Sequence, residues 1–113
     1  MERKEINVYT NLNNNEQNYK IMAIINNDVI KYIDLANNKM FVDVSNDIIT
    51  RENESYKFII DLRNNDIEIT HKKMKKIFNK EIKTLLIQKN KKDYLVRYQL
   101  IDDNIINEIY LKF

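Results

Sequence analysis

No glycine and no proline occur among these 113 residues. That double absence constrains the fold more than any other feature. Reverse turns need residues that tolerate positive φ or bond to their own backbone, and after glycine the best suppliers are Asn and Asp. They cluster at Asn13-Asn14-Asn15, Asn26-Asn27-Asp28, Asn37-Asn38, Ser45-Asn46-Asp47, Asn64-Asn65-Asp66 and Asp102-Asp103-Asn104. The stretches between these clusters are rich in Ile, Val, Tyr and Phe, the composition of short strands joined by hairpins.

Alternation supports strands. Tyr56, Phe58, Ile60 and Leu62 fall on one face while Lys57, Asp61 and Arg63 fall on the other, a half-buried antiparallel pattern. Comparable faces are Ile6-Val8-Thr10-Leu12, Tyr19-Ile21-Ala23-Ile25, Val29-Lys31-Ile33-Leu35, Met40-Val42-Val44, Ile67-Ile69-His71, Tyr94-Val96-Tyr98-Leu100 and Ile105-Asn107-Ile109-Leu111-Phe113. A meander of such one-sided strands hides its edges by closing on itself. The expectation is a single all-β domain over 1–113, an antiparallel up-and-down barrel of about eight short strands. One segment competes: Met74, Ile77, Phe78, Ile82, Leu85 and Leu86 fall at helical spacing, so a helix within 72–88 stands beside a strand reading with Asn79-Lys80 as a turn.

Composition removes whole classes of chemistry. With no Cys and one histidine, His71, the chain offers no thiol nucleophile, thiolate zinc site, disulfide framework or multi-histidine metal centre, and a Gly-rich phosphate loop needs glycine. Ser45 and Ser55 sit in no nucleophile motif, and His71 reads as an inward or rim residue with a local hydrogen bond. Neither catalysis nor a cofactor is expected. The longest apolar run, Ile21 to Ile25, is far short of the roughly 20 residues of a membrane helix, and the first residues form no signal core. These features fit a cytoplasmic protein, and the sequon at Asn53 is read as accidental. The abundance of Asn, Lys and Ile has the character of an AT-rich genome, which lowers the weight of any single Lys.

Order in the second half is similar to a known family. YKFIIDLRNNDIEITHKKMKKIF (56–78) gives strand, Asn turn, strand and a basic stretch; EIKTLLIQKNKKDYLVRYQLIDDNIINEIYLKF (81–113) adds a Thr-bearing strand and a closing hairpin. The pattern resembles the uncharacterised bacterial YwiB-like family, and more weakly so does Ile6-Asn7-Val8-Tyr9-Thr10. The resemblance implies a calycin-like (lipocalin-like) β-barrel and carries no catalytic residues across.

Charge is uneven. Nine lysines lie between residues 72 and 92 against Glu81 alone, in a chain whose net charge is only +2. Three readings follow. A non-enzymatic barrel would hold a small apolar ligand with an anionic head group, met at the mouth by Lys72, Lys73, Lys75, Lys76, Arg97 and Tyr98. Thr10, Lys31, Thr84 or Asn107 would supply inward polar groups, although the bulky lining favours a filled core. A nucleic-acid-associated module would use the lysines of 72–92, which otherwise form a solvated edge; Tyr94 and Tyr98 share an apolar face and read as core. A protein-interaction or homodimerisation domain would use apolar residues on otherwise polar faces: Met22, Ile24, Ile30, Ile59 and Ile106. Asp61 and Arg63 read as a surface ion pair on one strand.

Overall fold

The computed structural model describes residues 1–113. Ten strands follow in order: β1 (Glu2–Leu12), β2 (Asn15–Asn26), β3 (Val29–Ile33), β4 (Lys39–Asp43), β5 (Ile48–Glu52), β6 (Tyr56–Asp61), β7 (Asp66–His71), β8 (Lys76–Lys89), β9 (Asp93–Leu100) and β10 (Ile105–Lys112). Each pairs antiparallel with its sequence neighbours, and β1 pairs with β10 to close the barrel. The all-β meander stands, with ten strands where the pattern suggests about eight. There is no helix, and accordingly none long and apolar enough to cross a membrane.

The turns carry out what the composition requires. Eight residues have positive φ, and seven of them are Asn or Asp: Asn13, Asn14, Asn27, Asn37, Asp47, Asn65 and Asn104. Asn13 and Asn14, at φ 52° and 63°, form the two-residue link between β1 and β2, where primed turn geometry matches strand twist. The eighth residue is Lys75, at φ 51°. Its turn copies two others. Asp43 Oδ1 and Asp61 Oδ1 each accept from the backbone N–H three residues on, of Asn46 and Asn64, and the next residue, Asp47 or Asn65, is left-handed. In the third copy His71 Nδ1 accepts from Met74 N–H at 3.2 Å and Lys75 takes the left-handed place. His71 thus holds a turn, with its ring edge-on to Tyr56 at 4.7 Å.

The segment 72–88 is turn and strand. Its helical spacing comes from a β-bulge: Thr84 pairs with Tyr98 and Leu86 with Arg97, so one extra residue intervenes. The inward phase shifts from Ile82 and Thr84 to Ile87, while Met74, Ile77, Phe78 and Leu85 remain exposed. A period of two with one slip, plus exposed apolar residues, imitates 3.6. A second correction concerns β3. Ile30 and Tyr32 point inward and Lys31 and Ile33 outward, so Lys31 is no interior polar group and Ile30 is core instead of an exposed contact. Pairing of Ile25 with Ile30 across the Asn27-Asp28 turn fixes this phase, and register overrides the local apolar count. Lys31 instead places its ammonium 5.6 Å from the Phe41 ring.

The interior is a single cluster of 18 buried apolar residues, including Ile6, Val8, Val42, Ile49, Ile82, Tyr94, Val96, Ile109 and Leu111. The two ends of the barrel differ. The upper end carries the turns β1–β2, β3–β4, β5–β6, β7–β8 and β9–β10, and the lower end carries the other four turns and both termini.

Candidate functional site

At the lower end the β4–β5 turn folds across the barrel. Asp47 is buried there and accepts hydrogen bonds from Tyr94 Oη (2.9 Å), Lys89 Nζ (3.1 Å) and Arg63 Nε (3.1 Å), while its carbonyl takes the N–H of Leu62. Lys89 also donates to the carbonyl of Val44. Burial alone would raise the Asp47 carboxyl, but the hydrogen bonds from Tyr94, Lys89 and Arg63 outweigh it and hold the group below its ordinary value. The partner of Arg63 is therefore Asp47 rather than Asp61, which instead caps its own turn. The Asp47 cluster is thus a satisfied polar lid; beside it the lower end holds an open, mostly polar recess lined by Glu2, Lys4, Glu5, Lys91, Lys92 and Lys112, with few apolar residues to hold a guest.

The upper end is built otherwise. A cavity of about 220 Å³ is lined by nine apolar residues, among them Phe58, Ile60, Ile69, Tyr98 and Ile109, and by Asn13, Arg51, Lys80 and Asn107. Asn13 and Lys80 are exposed, so the cavity meets solvent at them. Alternation on β5 delivers Arg51: Ile49 is in the core, and Arg51, two residues on, shares its inward face.

Arg51 makes no ion pair, and its Nε lies buried without an acceptor. The Phe58 ring lies 6.0 Å from the guanidinium carbon. A buried donor without a partner costs about 1–3 kcal/mol, more when charged, so such a group in a native interior calls for a physical reason. Around it stand neutral donors and acceptors. Burial pushes the Tyr98 phenol up to about 12, against smaller opposing pulls from Asn107 and Arg51, so it is a donor at any physiological pH. Tyr19 is likewise pushed up to about 12 by burial, with Asp34 adding and Arg51 opposing. Asn107 Oδ1 accepts from Asn13 N–H at 2.9 Å, tying β10 to the β1–β2 turn at the rim.

Of the residues singled out in the sequence, Tyr98 lines this cavity. Lys72 lies at the same end but is bound to Glu52 at 2.7 Å. Lys73, Lys75 and Lys76 are exposed around the β7–β8 turn and line no part of the cavity. Arg97 points outward to Glu108 at 3.0 Å. Among the candidate interior polar groups, Asn107 lines the cavity; Thr10 is buried, and Thr84 Oγ1 donates to the Leu62 carbonyl. Arg51 and Lys80 are the cations that actually face it. No cluster of three His, Asp or Glu suited to a metal ion occurs. The site is thus an apolar recess in a closed antiparallel barrel, lined by one half-buried guanidinium without an ion-pair partner, its Nε desolvated, and by one ammonium at the edge. Comparison with known proteins finds no matching family model, curated protein or solved structure.

Proposed function

We propose that this protein is a non-enzymatic, calycin-like binding barrel of the cytoplasm that holds one small apolar molecule by an anionic head group. The observation that carries the reading is Arg51: an inward guanidinium without a counter-charge, set in an apolar recess. A carboxylate or phosphate ester bound there would satisfy the buried donor through charge-assisted, bidentate hydrogen bonds. Tyr98 and Asn107 would orient the head group, and Lys80 would add a second positive charge on the solvent side.

Size narrows the guest. A dry cavity of about 150 Å³ accommodates benzene. The 220 Å³ here therefore suits about ten non-hydrogen atoms, the size of octanoate or a phenylalkanoate. Long-chain fatty acids exceed it.

Thermal-shift measurements with octanoate, octanol, acetate and palmitate test the reading. Octanoate should raise the melting temperature well above the other three, since octanol lacks the charge, acetate the apolar body and palmitate the fit. Equal or absent shifts for octanoate and octanol would remove the anionic-head assignment.

A further inference from the structure

The barrel is closed, yet its wall is not continuously bonded. β2 pairs with β1 along its whole length but with β3 only at Ile24, Ile25 and Asn26. From Asn15 to Ala23 its other edge faces no strand, and none of the backbone hydrogen bonds outside the strands involves these residues. Parity assigns the free groups. Leu12 and Asn15 flank the β1–β2 turn, and Asn26 and Val29 flank the β2–β3 turn. Flanking residues of a two-residue hairpin exchange backbone hydrogen bonds, so odd residues of β2 bond to β1 and even ones point the other way. The N–H and C=O groups of Glu16, Asn18, Lys20 and Met22 are the ones left open.

An edge of this length is a template for another strand unless charge or a bulge blocks it. β8 shows such a block. Its residues 76–81 pair with β7 alone, and self-pairing centred on Phe78 would set Lys76 against a second Lys80. β2 is arranged oppositely. Antiparallel self-pairing about a two-fold axis at Asn18 sets Glu16 opposite the partner's Lys20 and Lys20 opposite the partner's Glu16, both on the exposed face and both in hydrogen-bonded positions. Moving the axis to Lys20 would oppose two lysines.

We infer that β2 is a homodimerisation edge, joined to a second copy of this chain in the register centred on Asn18. No residue of β2 lines the ligand recess, and the outward residues Glu16, Asn18 and Lys20 that set this pairing take no part in it.

Sedimentation velocity over a concentration series tests the pairing with four proteins: wild type, Lys20→Glu, the charge exchange Glu16→Lys/Lys20→Glu, and Asn18→Pro. The wild type should dimerise as concentration rises. Lys20→Glu, which faces like charges twice, should weaken the dimer about tenfold or more, and the exchange should restore it. Asn18→Pro removes an N–H that bonds nothing in the monomer, and should leave a monomer with an unchanged circular dichroism spectrum. A wild type that stays monomeric throughout, or a Lys20→Glu dimer as tight as wild type, overturns the inference. Were the proline variant to misfold, the charge series alone still decides.

Discussion

Arg51 and Phe58 are direct cross-strand partners on β5 and β6, with the guanidinium carbon 6.0 Å from the ring centroid and no carboxylate within ion-pair reach. The ring offers about 0.5–1 kcal/mol, too little to offset the desolvated and unpartnered Nε of this half-buried side chain. Arg51→Met keeps the length and apolar body while removing the charge. The unliganded variant should therefore be more stable than wild type, by about 1 kcal/mol in urea denaturation, and should lose octanoate binding. A variant less stable than wild type would mean that Arg51 serves the fold.

Asp47 makes the opposite case, a buried charge whose partners are all in place. Asp47→Ala should cost about 2–4 kcal/mol, because Tyr94, Lys89 and Arg63 lose a common acceptor; Asp47→Asn, which keeps one acceptor oxygen and tolerates φ of 55°, should cost less. A pH dependence follows from the depressed carboxyl. Its stabilisation is fully present above the ordinary value of 3.8 and is lost as pH falls below that value through the lower folded-state one. Denaturation midpoints collected from neutral pH downward should drop in this acid window for wild type, and drop less for Asp47→Asn.

Lys75 occupies a left-handed position that elsewhere belongs to Asn or Asp. A side chain without a local hydrogen bond there costs about 1–2 kcal/mol, part of which glycine returns as chain entropy. Lys75→Gly should raise stability by about 0.5–1 kcal/mol. Because Lys75 lines no part of the recess, the same variant should bind octanoate as wild type does, which calorimetry can compare directly.

Much of the barrel is legible from residue order because the turns are written in Asn and Asp. Clusters around Asn13, Asn27, Asn37, Asp47, Asn65 and Asn104 mark six bends where the backbone becomes left-handed. What the pattern hides has physical causes. β5 contributes only Ile49 and Arg51 to the interior, so it shows no apolar alternation and goes uncounted. That same strand carries the residue on which the site rests. The available signal was an arginine two positions after a buried isoleucine, between turns at Asp47 and Asn53. In β8 the bulge at Leu85 disguised the period, and in β3 the partner strand, not the local sequence, chose the inward face. Asp47 meets Lys89 and Tyr94 more than forty positions along, a relationship that residue order does not reveal.

The outward pair Arg97–Glu108 is half exposed on its arginine side and stands outside the recess. Arg97→Ala should change stability by no more than about 0.5 kcal/mol and leave ligand binding unchanged. A large loss of binding in a thermal-shift titration of this variant would move the site to the outer surface.

Calorimetric titration of octanoate into wild type and Arg51→Met bears most directly on the role of the recess. The expected result is one saturable site in wild type, with a negative heat-capacity change from apolar burial, and binding lost or reduced at least about a hundredfold in Arg51→Met. Equal affinity in the two proteins, or no heat of binding in wild type across a concentration range that saturates ordinary small-ligand sites, would contradict it.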